Sequence, residues 1–124
     1  MTTLGESITW QRVAVGAGAA VRQVELAIGT IGTGRPSALI TAGVHGDEGP
    51  WGAWAIHKLL ASVSIGDLLG SLRVVPVANP LAMDADARNA PLDVLDLNRV
   101  FPGDPNGSHT ERVAATLVTH ALPG

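Results

Sequence analysis

Apolar positions change their period several times along the chain, and each change marks an element. Val13 and Val15, then Val24, Leu26 and Ile28, alternate with polar or small residues, the two-residue repeat of half-buried strands. Segments 8–15 and 21–31 therefore read as two strands, and Gly16-Ala17-Gly18 as the turn of an antiparallel hairpin at a sheet edge. The short apolar run from Ala38 to Ala42 has the length of a buried strand and breaks at Gly43. Pro50 opens a helical pattern over 50–62, since proline is tolerated at the first helical position. Trp51, Trp54, Ala55, Ile56, Leu59 and Leu60 give that helix a broad apolar face. Both tryptophans are accordingly expected in the core, and His57 is expected to be a solvated or capping side chain. Segment 64–70 is a connector, and 72–77 reads as another strand with Pro76 near its end or on an edge.

From Asn79 to Ser108 the periodicity fades, and Asp, Asn, Pro and Gly dominate. Structureless loops of that length are uncommon in compact domains and are usually functional or disordered. Phe101, the single phenylalanine, is expected to anchor this loop to the core. Ser108-His109-Thr110-Glu111 then spells a capping box. The helix it starts carries Val113, Leu117 and Ala121 on one stripe, with Ala114 and Val118 beside it, and Leu122-Pro123-Gly124 ends it. No repeat or linker divides the chain, so 1–124 reads as a single domain. A strand–turn–helix–strand unit followed by a helix predicts an α/β fold with a partly parallel sheet. The last helix should lead into a further strand, but the sequence ends there.

Composition narrows the function. At 124 residues, 46% hydrophobic and 15% charged, the chain is globular and long enough to bury a core. A net charge of −3 with no basic cluster argues against a nucleic-acid partner. The absence of cysteine excludes disulfides and thiolate metal sites, so any metal must be held by carboxylates and the four histidines. Met1 to Trp10 lacks the basic start and apolar core of a signal peptide, and no apolar run approaches a membrane span. A cytoplasmic protein without a membrane partner is the expectation.

The densest chemistry follows the third strand, in Val44-His45-Gly46-Asp47-Glu48. Open α/β sheets place ligands just past the carboxyl ends of their strands. His45 and Glu48 are three residues apart, so a tight turn aims both side chains at one spot, and an imidazole with a carboxylate is a usual pair of zinc ligands. The long loop adds Asp96-Leu97-Asn98-Arg99-Val100-Phe101-Pro102-Gly103 and, upstream, Arg88. Arginine offers a planar fork suited to a carboxylate, and Asn98 a neutral donor beside it. The competing reading is that these arginines pair with Asp84, Asp86, Asp93 or Asp96 and staple the loop. Composition favours the staple for Arg88 and leaves both readings open for Arg99. His109 and His120 read as exposed helix-terminal histidines, and His120 suits the negative end of a helix dipole. No Gly-x-Ser-x-Gly elbow supports a serine hydrolase.

Taken together, the His45–Glu48 motif, Asn79-Pro80, Arg88 and the Asp96–Gly103 run resemble the succinylglutamate desuccinylase/aspartoacylase family of the zinc carboxypeptidase-like superfamily. The match runs from about Ala38 to Arg112. The resemblance implies a three-layer, zinc-peptidase-like mixed sheet flanked by helices and truncated after the N-terminal half of the catalytic domain. It implies zinc held by His45 and Glu48, with Arg88, Asn98 and Arg99 binding the substrate carboxylate and polarising the scissile carbonyl. The implied reaction is hydrolysis of the amide, or a related ester, of an N-acyl amino acid or similar small carboxylate through a metal-activated water. The family's third zinc ligand, a histidine on a following strand, and its glutamate base match nothing before Gly124. The rival reading is a non-catalytic remnant or interaction module that keeps the fold and a carboxylate-binding loop. A homo-oligomer is compatible with either.

Overall fold

Alternation along strand β2 (Glu25–Gly32) divides the molecule into two faces. Leu26 and Ile28 join one core cluster and Ile31 the other, each no more than 2% exposed. The structure, a computed structural model, describes residues 1–16 and 24–122. The hairpin turn expected at Gly16-Ala17-Gly18 and the first residues of its second strand lie largely outside the described residues. On either side of that gap, β2 pairs antiparallel with β1 (Thr9–Ala14). Its other edge pairs antiparallel with β4 (Ser71–Val75), which in turn pairs parallel with β3 (Ser37–Thr41). The sheet order is β1-β2-β4-β3, so it is mixed, as the alternation of elements predicts.

Helices cover both faces. Helix α1 (Leu4–Ser7) and helix α2 (Trp51–Ser62) bury Leu4, Ile56 and Leu60 with Ile31, Leu72 and Val74. On the opposite face, helix α4 (Leu97–Val100) and helix α5 (His109–His120) bury Leu97, Val113 and Leu117 with Leu26, Ile28 and Val75. Each such side chain contributes about 1.5–3 kcal/mol when fully buried, which is what holds the layers together. Neighbouring residues of β4 serve opposite faces: Val74 packs toward α2, whereas Arg73 Nη1 donates to the carbonyls of His120, Ala121 and Leu122 at the end of α5. Pro76 falls just past β4, where its missing N–H costs the ladder nothing.

Strand β3, read as buried, lies at the sheet edge with no fully buried residue, and three further expectations fail. Trp51 and Trp54 are 74% and 62% exposed rather than in the core. Helix α2 docks through Ile56 and Leu60, and at about 100° per residue the two tryptophans lie on the far side of that stripe. The apolar face read from the sequence is wider than the face the sheet receives. Phe101 is likewise 46% exposed, and Leu97, fully buried, anchors the loop in its place. The third concerns the 79–108 segment, which is not structureless: it holds α4 and the five-residue helix α3 (Pro80–Asp84), both too short to show a period.

The sheet's carboxyl end positions the site. Backbone bonds continue beyond the paired strands, from Ala42 N–H to Val75 O (3.0 Å), Ala78 N–H to Ala42 O (2.8 Å) and Asn79 N–H to Gly43 O (3.0 Å). The chain turns at Gly43 with φ +69°, a conformation that side chains disfavour. A single 3-10 turn, Gly46–Glu48, then rests on α3 so closely that a Cβ at Gly46 would overlap the Ala82 carbonyl.

Candidate functional site

His45 is the buried member of the site, 9% exposed, and Glu48 reaches back to it from the end of the 3-10 turn. Their side chains meet at 3.1 Å, Nδ1 to Oε2, as the three-residue spacing predicts. The other ring nitrogen, Nε2, lies 2.9 Å from Oδ1 of Asp96, fifty-one positions away in sequence. The same Oδ1 accepts the Asn98 backbone N–H at 3.0 Å and caps α4. Oδ2 lies 3.5 Å from Arg88 Nη2.

A histidine between two carboxylates satisfies both contacts when each ring nitrogen carries a proton. The Asp96 bond accordingly raises the His45 pKa above its ordinary value, with Glu48 adding to it and burial and Arg88 opposing. The same bond is the main reason Asp96 is held below the usual carboxylate range. The Nδ1–Oε2 pair also has the chemistry and spacing for a cation. A nitrogen and an oxygen bound tetrahedrally at about 2.0–2.2 Å are about 3.3 Å apart, against the 3.1 Å observed. Two donors fit; among the described residues no group of three or more His, Asp or Glu side chains is arranged to hold a metal.

The loop residues expected to bind substrate are gathered around one carboxylate. Arg88 pairs with the Asp96 side chain, as the loop-staple reading predicts. Asn98 and Arg99 both donate their backbone N–H groups to Asp96, to Oδ1 and to the carbonyl oxygen at 2.9 Å. The side chains of Arg88 and Arg99 are exposed, and Arg99 makes no ion pair with a described residue. Asp96, read from the sequence only as a partner for arginine, is the residue that reasoning missed. The aspartate ahead of a short helix was a legible capping signal, but nothing in the sequence pointed to a histidine so far upstream.

The remaining histidines stay apart from this cluster. His57 is exposed and lies against Trp10, ring centroids 6.1 Å apart. His120 is exposed at the end of α5, as expected. His109 differs from expectation: it is partly buried, its Nε2 is shielded from solvent without a partner, and burial lowers its pKa against the pull of Asp93. Beside it, Asp93 accepts from both the N–H and the hydroxyl of Thr110 at 2.7 Å, which ties the 79–108 segment to the first turn of α5.

Residues 35–124 match the catalytic domain described as succinylglutamate desuccinylase/aspartoacylase. The chain belongs to this family. Within the succinylglutamate desuccinylase/aspartoacylase family it is 46% identical over 88 residues to N-alpha-acetyl-L-2,4-diaminobutyric acid deacetylase from Halomonas elongata, an alignment covering 71% of this chain and 25% of the relative. An aspartoacylase family protein from Mesorhizobium loti shares its fold with a TM-score of 0.78 and 37% identity, over 94% of this chain and 37% of that one. The product-bound ectoine utilization protein from Ruegeria pomeroyi has a TM-score of 0.72 and 33% identity, over 89% and 35%. The chain thus spans about a quarter of the length of its curated relative and little more than a third of these solved structures. The four-stranded mixed sheet and its helices correspond to a portion of the aspartoacylase-family fold. No helix among the described residues is long and apolar enough to cross a membrane.

Proposed function

We propose that residues 1–124 form one folding unit of a zinc-dependent deacylase that hydrolyses the amide of an N-acyl amino acid or a similar small carboxylate. The observation that carries this reading is the convergence of His45, Glu48 and Asp96 at the carboxyl end of the sheet. His45 Nδ1 and Glu48 Oε2 are the two metal donors. Bound there, zinc supplies the Lewis acidity that makes a water nucleophilic near neutral pH. Asp96 holds the proton on Nε2, which leaves the Nδ1 lone pair for the metal and fixes the ring plane. Carboxylate–histidine pairs of this kind raise ligand basicity.

Arg88 and Arg99 bring positive charge to the mouth of the site. They are the groups for the substrate carboxylate, with Asn98 as a neutral donor to the acyl oxygen. The Arg88–Asp96 contact at 3.5 Å is loose enough to yield to a carboxylate ligand. A catalytic zinc takes three protein ligands; the third, and the base that accepts the water's proton, are assigned to no described residue. The similarity to a diaminobutyrate deacetylase makes Nα-acetylated diamino acids the first substrates to test.

The test is amine release from N-acetyl and N-succinyl amino acids with added zinc. It compares the 124-residue chain with a chimera in which this chain replaces the matching quarter of the Halomonas elongata relative. The chimera should turn over and lose activity on His45→Ala, while the 124-residue chain alone stays at background. An equally active His45→Ala chimera would remove His45 from the chemistry. Zinc-dependent turnover by the short chain would mean that it holds a third ligand and a base.

A further inference from the structure

Asn79 is fully buried, yet no ligand role is assigned to it. Its side-chain Nδ2 donates to the Val44 carbonyl at 3.4 Å, and its backbone N–H to the Gly43 carbonyl at 3.0 Å. These are the two residues that deliver His45 from β3. Its own carbonyl accepts the Met83 N–H at 3.1 Å and so starts α3, the helix on which the Gly46–Glu48 turn rests. Asn79 therefore ties the segment after β3 to the segment after β4 at the point where both leave the sheet.

The side chain is a poor choice for stability alone. Its Oδ1 is buried without a hydrogen-bond partner, and leaving a buried acceptor unsatisfied is unfavourable. Flipping the amide would not help, because it would set Oδ1 against the Val44 carbonyl and bury the donor instead. An apolar side chain of similar size would avoid the orphan oxygen while filling the same space. What it could not do is hold the Val44 carbonyl.

We propose that Asn79 is a positioning residue: its amide fixes the Val44 peptide, and through it the orientation of the His45 ring toward Glu48 and Asp96. The effect is transmitted along one short covalent path, since Val44 immediately precedes His45. It also accounts for a donor in a place where packing asks for none.

Two variants separate positioning from packing. Asn79→Leu removes both the clamp and the orphan oxygen; Asn79→Asp keeps the shape and loses the donor. The first readout is the His45 ring N–H proton resonance of the 124-residue chain, assigned by its loss in His45→Gln, together with its exchange rate. The second is zinc affinity, which depends on the metal reading above, whereas the first does not. Asn79→Leu should unfold in urea at the wild-type midpoint or higher. In both variants the His45 N–H should nonetheless shift and exchange faster, and zinc should bind about 10–100-fold more weakly. An unmoved His45 resonance in folded Asn79→Asp overturns the proposal. So does wild-type zinc affinity in both variants, or a loss of His45 signal that only tracks the unfolded fraction. Failure of the wild-type chain to bind zinc would sink the metal reading and leave the resonance to decide the clamp.

Discussion

Asp96 serves three neighbours with one carboxylate: the His45 ring, the first turn of α4 and the Arg88 guanidinium. An asparagine in its place would cap the helix nearly as well, because both residue types are favoured N-caps. Asp96→Asn should therefore leave the fold intact and act on the His45 ring and on the exposed Arg88 pair. Zinc affinity should fall about 10–100-fold, read by competition with a chelator, while far-ultraviolet circular dichroism stays unchanged. The histidines supply a second test at this scale. His109 is held below its ordinary value of 6.5 by burial, so its neutral form contributes stability in full above that pH. The contribution is lost as pH falls from 6.5 toward the lowered folded value. His45 has the opposite sign: its raised pKa gives stability below 6.5 that disappears as pH rises through the folded value. Urea midpoints followed from pH 8 to 5 should show His109→Gln removing the acid-side loss and His45→Gln removing the alkaline one.

Helix α5 is fastened at both ends by residues outside it. Asp93 accepts from Thr110 at its start, and Arg73 donates to the carbonyls at its finish. The Thr110 bonds hold the Asp93 carboxyl below its ordinary value of 3.8 even though burial pushes the other way. Asp93→Ala should cost about 1–2 kcal/mol at neutral pH, as the loss of a helix cap does. That difference should persist above pH 3.8 and vanish as acid protonates the wild-type carboxyl through its lowered folded value; acid titration of the two proteins by circular dichroism measures it. Elements of this size were the legible ones. Strands β1 and β2 declared themselves by alternation, β3 by a short apolar run, and α5 by its capping box and stripe. The one-turn helices α3 and α4 did not, because four or five residues give no period to read. Val94 gave no warning at all: a β-branched residue at φ +58°, it departs from its own preference two positions before Asp96.

For the molecule as a whole, the His45–Glu48 motif and the loop that carries Asp96 meet at the carboxyl end of the sheet. The His45–Glu48 contact followed from a local spacing, and the structure closes it at 3.1 Å. The Asp96 contact depends on a loop folding back over the sheet end, a long-range event that no local spacing encodes. The outward-facing tryptophans mark the same limit from the other side, since an apolar face in sequence does not say which part of it another element will cover. The most direct measurement is a zinc titration of the purified 124-residue chain against a competing chelator, with His45→Ala and Glu48→Ala in parallel. Binding of one zinc, weaker than at a finished three-ligand site, weaker again without Glu48 and absent without His45, is the expected result. Zinc binding of equal strength in wild type and His45→Ala would contradict it.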